Sequence, residues 1–585
     1  MHNFLKKIYQ KFRIENVSKI LLLLNSMSII FGIVYLLSII VGIVYVLIIW
    51  DIFGIILIIA LLGNLVLVYL NSINLNKTTE LGNRLNLLCY IYLIFIIFAM
   101  IWVMQGNSAY SSTYSYLLID IMDSYIWITI GYFGAFIFGT VIAYIDFKNR
   151  DNRELWSREI KGDLKPSDKT IKIKKKLKKM LRIICYFSLA VGVFFAYIVI
   201  TDPITYRFIW WMAMFIPQYG VFYAVIFLST AILILKTKSK KKHPRQYFAV
   251  AIIGMTITGI FMAPLMTTPY SVYSAELNFA DAFGGNWRDD IPDNVESKYF
   301  MKTPFSLPGY FLGMPAKYCN IEEHKKFWDK DDIELYFDAY WPMENVKSLP
   351  GRKDGNYSVI IKIHGGAWRY GDKGGREVLI NKYFAAQGYA VFDIQYGLHY
   401  EKRELLPTPE NVKGDFDIDD MMEHIGAFCK YLSNHTDKYK VNLDSVFITG
   451  GSAGGHLTMA TGLAIYSGDY KEYFGDNIKI KGLIPLYPAH PSLDGKKEFK
   501  YPERYLLDED APPCLIYQGM QDYGCAKVSR EIKAEYEEVD NDDCCILWFP
   551  LSGHANDIYD VGHFRQVFIY YMERFLYLCV HEDIE

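Results

Sequence analysis

Long apolar stretches dominate the first 267 residues of the chain and restrict what this part can fold into. They cover residues 20–70, 86–104, 125–145, 181–201, 208–235 and 247–267. A helix of about 20 apolar residues crosses the hydrocarbon core of a bilayer, so each stretch can span a membrane. The first is too long for one helix and is interrupted by Trp50 and Asp51, where we predict a turn. The pattern predicts an all-α transmembrane bundle of about seven helices. Pro217 and Gly220 can kink the sixth span or divide it into a hairpin, so six to eight spans remain open.

Lysine and arginine residues are concentrated in alternate segments between these stretches. They cluster before residue 20, at 172–180 and at 236–245, whereas residues 105–124 carry none. Positive charge marks the cytoplasmic side of membrane proteins, so seven spans place the N-terminus in the cytoplasm and the C-terminal half outside it. The basic runs also suggest nucleic-acid binding. A formal net charge of -2 and the position of the runs between spans favour topology instead, and we predict no nucleic-acid partner.

The membrane region and the cysteines point away from transport and from metal binding. The spans contain almost no ionisable residue apart from Asp51, whereas transport and proton relay usually need charged groups inside the membrane. We therefore expect the region to anchor the chain or to contact lipids. The nine cysteines show no CxxC and no zinc-type spacing with histidine. We predict neither a disulfide framework nor a structural metal site.

From about Glu334 to the C-terminus, short apolar strands alternate with helical segments. Examples are the predicted strands IELYFDAYW, YSVIIKIHG, YAVFDIQYG, SVFITG, KGLIPLYP, PCLIYQG and CCILWFP. This alternation predicts a mostly parallel sheet covered by helices on both faces. In such sheets, reactive groups lie in loops at the carboxyl ends of the strands. We divide the chain into a membrane region at 1–267, a linker or N-terminal arm at 268–330, and an α/β domain at 331–585.

Residues 447–456, FITGGSAGGH, place Ser452 directly after a strand and at the start of a helix. The spacing Gly450-x-Ser452-x-Gly454 is that of a nucleophile elbow. Such a turn holds the serine in a strained conformation, and flanking glycines let the strand and helix approach closely. A glycine-rich turn with a bystander serine, or a phosphate loop, is the alternative interpretation.

A base and a carboxylate follow in the order that a serine nucleophile requires. Asp522 follows one predicted strand in YQGMQDYG, and His554 follows the next in FPLSGHAND. A serine needs a base to take its proton, and the base needs a carboxylate to orient it. We predict Ser452, His554 and Asp522 as a catalytic triad. Competing residues are His563 and His490 for the base and Asp557, Asp508 and Asp510 for the carboxylate.

The upstream segment KIHGGAW ends a predicted strand. The backbone N–H groups of Gly365, Gly366 and Ala453 are predicted to form an oxyanion hole, in which one donor contributes roughly 3 kcal/mol to catalysis. Ala367 and Trp368 are predicted to line the substrate pocket. The two histidines beside the motifs, His364 and His456, are predicted to be structural.

With these motifs, the region from about Glu334 to the C-terminus resembles the α/β-hydrolase superfamily, in its hormone-sensitive-lipase and acetyl-esterase-like branch. That branch carries an HGGGW-type motif and a GDSAGG elbow, and this chain has HGGAW and GGSAGG. Ala367 thus replaces a glycine and Gly451 replaces an acidic residue. The resemblance implies a hydrolase of short-chain or acetyl esters.

We therefore predict a membrane-anchored serine hydrolase that cleaves carboxylic esters outside the cytoplasm through an acyl-enzyme, without metal or organic cofactor. Its substrate would be a small-molecule, glycan or lipid ester, and membrane lipids are the other expected partner. The oligomeric state is left open. An insertion at 488–510 is predicted to form a small cap. Two alternatives are acyl transfer to an envelope glycan or lipid, and a non-catalytic membrane sensor with a hydrolase fold.

Overall fold

The structure is a computed structural model, and it describes residues 14–41, 48–75, 77, 79–114, 118–149, 168–201, 207–314, 318–344, 349, 356–401, 406–500 and 506–581. Within these residues the chain forms a helical bundle followed by an α/β domain. The bundle helices are α1 (Ile14–Val41), α2 (Ile48–Asn74), α3 (Glu80–Ser111), α4 (Leu118–Lys148), α5 (Asp168–Thr201), α6 (Arg207–Phe215), α7 (Gly220–Thr237) and α8 (Pro244–Met266).

Seven helical spans in the described residues are long and apolar enough to cross a membrane, and they confirm the predicted bundle. Isoleucine, leucine and phenylalanine side chains are exposed on their outer faces, as expected for surfaces that contact lipid. Asn25 and Asn64 pair through two hydrogen bonds between α1 and α2 inside the bundle. Trp50 and Asp51 lie in the first turn of α2 and not in the connection before it, so the predicted turn falls a few residues too late.

The sixth candidate span is one helical segment with a break at Pro217. Helix α6 ends at Phe215, a 3-10 turn covers Pro217–Tyr219, and α7 begins at Gly220. Proline has no N–H, so the carbonyl group of Ala213 loses the donor that a continuous helix would supply four residues later. The break therefore exposes backbone carbonyl groups that need another partner.

The α/β domain contains an eight-stranded sheet in the order β1-β2-β4-β3-β7-β8-β9-β10, with a separate pair β5-β6. Strands β1 and β2 are antiparallel to their neighbours, and the other strands of the large sheet are parallel. The strands are β1 (Asn320–Lys330), β2 (Ile333–Trp341), β3 (Tyr357–Ile363), β4 (Ala390–Ile394), β5 (Leu398–His399), β6 (Lys413–Gly414), β7 (Val441–Gly451), β8 (Ile480–Leu486), β9 (Cys514–Gly519) and β10 (Cys544–Phe549). The predicted mostly parallel sheet is confirmed.

Helices and buried side chains cover both faces of this sheet. After the bundle the helices are α9 (Thr268–Phe283), α10 (Asp293–Tyr299), α11 (Leu307–Leu312), α12 (Val378–Gln387), α13 (Ile418–Ser433), α14 (Thr436–Tyr439), α15 (Ala453–Ser467), α16 (Lys471–Phe474), α17 (Lys497–Lys500), α18 (Tyr523–Glu538) and α19 (His563–His581). Cys544 and Cys545 belong to the cores on opposite faces, as period-two alternation requires. All nine cysteines are buried.

The segment between the bundle and the sheet ties the two together. Helix α9 packs along β10, where the Asn278 side chain donates to the carbonyl of Ile546 at 2.8 Å. Helix α11 lies against α2, and a side chain at Gly54 would collide with Leu307. Asn107 at the end of α3 donates to the carbonyl of Phe311 at 3.1 Å. The α/β domain is thus held against one end of the helical bundle.

Candidate active site

The elbow at Ser452 has the geometry that its sequence predicts. Strand β7 ends at Gly451, helix α15 begins at Ala453, and Ser452 between them has φ 58° and ψ −118°. This is an unfavourable conformation for a residue with a Cβ atom. A Cβ at Gly450 or Gly454 would lie 2.4 or 2.2 Å from the carbonyl oxygen of Ile363. Glycine at these positions allows β3, β7 and α15 to approach closely enough to form the turn.

The structure brings Ser452, His554 and Asp522 into one hydrogen-bonded chain. The Nε2 atom of His554 lies 3.0 Å from the Oγ of Ser452, and its Nδ1 lies 2.6 Å from the Oδ2 of Asp522. Asp522 follows β9 and His554 follows β10, so each side chain comes from a loop at the carboxyl edge of the sheet. The imidazole can accept a proton at Nε2 while the carboxylate holds the Nδ1–H.

Asp522 is kept ionised although it is buried. Its carboxylate caps helix α18 by accepting from the N–H of Cys525 at 3.5 Å. Burial raises the pKa of Asp522, but attraction to His554 and the hydrogen bonds outweigh burial, and the pKa is lowered overall. Asp522, Cys525 and His554 could together hold a metal ion, since one ligand atom from each lies within 4.8 Å of the others. The serine–histidine–aspartate chain already uses two of these three side chains.

The loop after β3, which carries the predicted oxyanion-hole residues Gly365 and Gly366, passes directly beside the elbow. A Cβ at Gly365 would lie 2.6 Å from the carbonyl oxygen of Gly451 and 3.4 Å from the Cβ of Ser452. Gly366 has φ 126°, and its carbonyl accepts from the N–H of Tyr370 at 3.0 Å, which closes a tight turn. The loop backbone at Gly365 therefore lies next to Ser452, and Ala453 begins the helix that follows the serine.

The two residues predicted to line the pocket, Ala367 and Trp368, lie in different environments. Ala367 lines the cavity next to Ser452. Trp368 does not, and its prediction is corrected: the ring is buried in the core and packs edge-on against His456, with centroids 5.7 Å apart. Left-handed backbone at both Ala367 and Trp368 forms the sharp turn in which the tryptophan packs inward.

The competing residues have other partners. His563 is buried at the start of α19, and burial lowers its pKa to about 3. His490 contacts the carbonyl of Pro491. Asp557 forms an ion pair with Arg565 at 2.7 Å, and Asp508 accepts from the hydroxyl of Tyr466 at 2.6 Å. Asp510 donates its backbone N–H to Asp508.

The triad opens into a cavity of about 930 Å³, and part of its wall is a membrane helix. Trp210 of this helix packs beside the triad histidine, with its ring centroid 5.2 Å from that of His554. Helix α6 contributes four lining residues, Trp210, Trp211, Met214 and Phe215. This wall was not predicted from the sequence. The two tryptophans before Pro217 were its only visible signal.

Polar side chains beside the triad form hydrogen bonds between the loops that carry His554 and Asp522 and the helical bundle. Asn556, two residues after His554, donates to the carbonyls of Ala213 and Met214 at 2.9 and 2.7 Å. It thus supplies a donor to the carbonyl that Pro217 leaves without one. The backbone N–H of Tyr559 donates to the side chain of Gln218 at 2.5 Å.

The loop that carries Asp522 is also held against the bundle by side-chain hydrogen bonds. Gln521, directly before Asp522, donates to the carbonyls of Val199 and Ile200 at 3.2 and 3.0 Å, at the end of α5. The loops that carry the base and the carboxylate therefore both rest on ends of membrane spans.

A buried ion cluster forms the inner end of the cavity. Lys362 contacts Glu377 at 2.7 Å and Asp393 at 3.2 Å, and Arg565 contacts Glu377 at 3.2 Å. Burial raises the pKa of Glu377, but the two cations outweigh it and lower the pKa to about 2. Asp560 lies 3.9 Å from Arg565, and burial raises its pKa to about 8. The cluster fixes the floor of the cavity.

Comparisons with known proteins agree on the type of domain. Residues 348–490 match a family model described as BD-FAE. Over 262 residues the chain is 27% identical to a probable carboxylic ester hydrolase, LipM, of Mycobacterium tuberculosis. This match covers 40% of the chain and 53% of the relative, so the chain spans about half the length of that relative.

Solved esterases are also similar to the chain. Esterase B of Lactobacillus rhamnosis is 21% identical, with a TM-score of 0.37, and the match covers 46% of this chain and 88% of that one. Esterase 2 of Thermogutta terrifontis is 15% identical, with a TM-score of 0.33, and the match covers 44% of this chain and 90% of that one.

Proposed function

We propose that the C-terminal domain of this chain is an α/β-hydrolase of the esterase type, and that the protein is a membrane-anchored serine hydrolase of carboxylic esters. One observation carries the proposal: a serine on a strained elbow is hydrogen bonded to a histidine at 3.0 Å, and that histidine to a carboxylate at 2.6 Å. A bystander serine in a glycine-rich turn would not need this chain of partners.

The geometry supports a two-step reaction. Ser452 Oγ attacks the ester carbonyl while His554 Nε2 accepts its proton, and Asp522 stabilises the resulting imidazolium. The N–H groups of Gly365, Gly366 and Ala453 bind the oxyanion. His554 then donates the proton to the leaving alcohol, and an acyl-enzyme remains. Water, deprotonated by the same histidine, attacks this acyl-enzyme and releases the acid.

The charge distribution supports an extracytoplasmic site. Lys236 contacts Asn86 at 3.3 Å, and Lys77 contacts the carbonyl of Ser72, both at the end of the bundle away from the α/β domain. The opposite end of the same helices contacts α11 and the catalytic loops. Basic residues mark the cytoplasmic side, so the hydrolase domain lies outside the cytoplasm and the N-terminus inside.

Activity and labelling of the full chain test this proposal. Purified protein in detergent is assayed against p-nitrophenyl esters of graded acyl length, and a fluorophosphonate probe reports an activated serine. We expect turnover that is fastest for short acyl groups, as the resemblance implies, and rapid labelling that Ser452→Ala abolishes. Absence of both turnover and labelling in folded protein would show that the fold serves a non-catalytic purpose.

A further inference from the structure

The broken sixth span locates the catalytic residues relative to the bilayer. Helix α7 ends beside Lys236, and about 20 helical residues cross the hydrocarbon core. Counting about that many residues back from Leu235 reaches Ile216, at the break. Helix α6, with Trp210 beside His554, therefore lies just beyond the hydrocarbon core, at the level of the lipid head groups.

Helix α5 gives a second, independent estimate of where the hydrocarbon core of the bilayer ends. Arg182 of α5 donates to the carbonyl of Thr237 at 2.8 Å, so α5 and α7 leave the hydrocarbon core at one level on the basic side. The apolar part of α5 then runs from Ile183 to Ile200, whose carbonyl accepts from Gln521. The loop carrying Asp522 thus rests on the opposite boundary of the same core.

The surface beside this loop suits contact with lipid. Met520 and Tyr523 flank the loop and are 41% and 65% exposed. Met520 shares a groove with Tyr270, which is exposed in the first turn of α9, within the seventh candidate span. Aromatic and apolar side chains in this position are typical of the membrane interface.

From these observations we infer that the substrate is an ester of a bilayer lipid in the leaflet next to the hydrolase domain. Lipid esters lie between the head groups and the hydrocarbon core, at the level of Ser452. Each methylene group moved from the bilayer into water is unfavourable, and a site at this level avoids that transfer. The hydrocarbon part would stay beside α6 while the ester carbonyl reaches Ser452.

This inference rests on the proposed ester hydrolysis and names its substrate class. For an acetylated lipid, the acetyl group passes to Ser452 and the lipid alcohol, protonated by His554, stays in the bilayer. Water then releases the acetyl group as acetic acid.

Two esters that differ only in their anchor test the inference. The full chain is reconstituted in vesicles of ether-linked phosphatidylcholine, which contains no carboxylic ester. Acetate release is measured from 1-O-hexadecyl-2-acetylglycerol in the bilayer and from its soluble counterpart, 1-O-methyl-2-acetylglycerol. We expect kcat/KM at least tenfold higher for the hexadecyl compound, with no release by Ser452→Ala.

The outcomes separate the inference from the proposed function. Equal or faster hydrolysis of the methyl compound, or turnover of p-nitrophenyl acetate alone, would overturn the lipid substrate and leave the serine hydrolase intact. Failure of all three esters in folded protein would overturn both.

A pair of matched methionine variants tests the membrane contact itself. Met520 and Met343 are 41% and 40% exposed on the same domain. Met343 follows β2, which runs antiparallel to β4, so it lies at the sheet edge opposite the triad. We expect Met520→Glu to lower kcat/KM at least threefold for the hexadecyl compound only. We expect Met343→Glu to leave kcat/KM unchanged for both compounds. An equal loss on both substrates with Met520→Glu would contradict a role in lipid contact.

Discussion

In the proposed reaction, each residue of the triad acts together with the other two and not alone. Ser452, His554 and Asp522 are joined by hydrogen bonds of 3.0 and 2.6 Å, and the carboxylate is held ionised by its partners. Removing one member disables the proton transfer that the others serve. Groups that act as a unit give non-additive losses when they are mutated.

We expect Ser452→Ala, His554→Ala and Asp522→Asn each to lower kcat for a p-nitrophenyl ester by about a thousandfold or more. The double variant Ser452→Ala with His554→Ala is expected to be about as slow as the slower single variant. Steady-state kinetics on protein shown to be folded by circular dichroism provides the measurement. His490→Ala is the control, because this exposed histidine lies outside the described lining of the cavity and its Nδ1 contacts the carbonyl of Pro491 in its own loop. Losses that multiply in the double variant would argue against a shared proton-transfer unit.

Asp560 makes stability depend on pH. Burial raises its pKa in the folded protein to about 8, against about 4 in an unfolded chain. Below pH 4 the carboxyl is protonated in both states and has no effect on the pH dependence. As the pH rises toward 8, the unfolded state ionises first, so folding is increasingly disfavoured.

Replacing Asp560 with asparagine removes this dependence. We expect Asp560→Asn to raise the thermal midpoint relative to wild type by roughly 2–5 °C at pH 8, with a smaller difference at pH 5. Thermal scans of detergent-solubilised protein across this pH range provide the measurement. A difference that is constant with pH would show that Asp560 is already ionised in the folded protein.

At the scale of elements, regular patterns were predictable and long-range contacts were not. Helix and strand periodicity predicted the spans and the parallel strands, because these depend on local sequence. Strand β1 was not predicted, since NIEEHKKFWDK is largely charged and lacks an apolar run. It is stable as an edge strand, where charged side chains are exposed and discourage further pairing.

In the candidate site, too, local motifs were predictable from the sequence and long-range contacts were not. The spacing of GGSAGG, and the order of Asp522 and His554 after it, predicted the residues that meet. The wall formed by Trp210 depends on how α6 packs against a loop more than 300 residues away, as the Asn556 hydrogen bonds show. No local pattern encodes that contact, and Trp368, placed by its neighbours in sequence, packs into the core instead.

The Asn556 side chain couples a membrane helix to the catalytic loop, and a matched asparagine allows a controlled test. Asn556 donates to two carbonyls of α6 and accepts from the N–H of Gly553. Asn541 makes the same pattern, with two carbonyls as acceptors and the N–H of Asp543 as donor. It lies on the loop before β10, at the edge of the parallel sheet opposite the triad.

We expect Asn556→Asp and Asn541→Asp both to lower the thermal midpoint, because each leaves buried carbonyls without a donor at a cost of about 1–3 kcal/mol. Only Asn556→Asp is expected to lower kcat, by about tenfold or more, since His554 lies two residues away. Rates are normalised to fluorophosphonate-reactive sites. Equal kcat for the two variants would show that α6 does not position the histidine.

At the scale of the whole molecule, the helical bundle and the hydrolase domain form one structure and not a domain on a flexible tether. Hydrogen bonds from Gln521, Asn556 and Asn107 join the segments after the bundle to the nearby ends of the spans. Lys382 also donates to the carbonyl of Thr113, just after α3. The orientation of the bundle in the membrane therefore fixes the side on which the active site lies.

Seven spans and the basic residues at the far end of the bundle predict opposite sides for the two termini. In intact cells without a cell wall, externally added protease should remove a C-terminal tag and leave an N-terminal tag intact. Permeabilised cells, in which both tags are cleaved, provide the control. Removing positive charge tests whether it sets this orientation. Lys240, Lys241 and Lys242 are exposed between the sixth and seventh spans. Replacing all three with glutamine should lower the fraction of molecules with an external C-terminus. A C-terminal tag that stays protected in intact cells would contradict both the odd number of spans and an extracytoplasmic hydrolase.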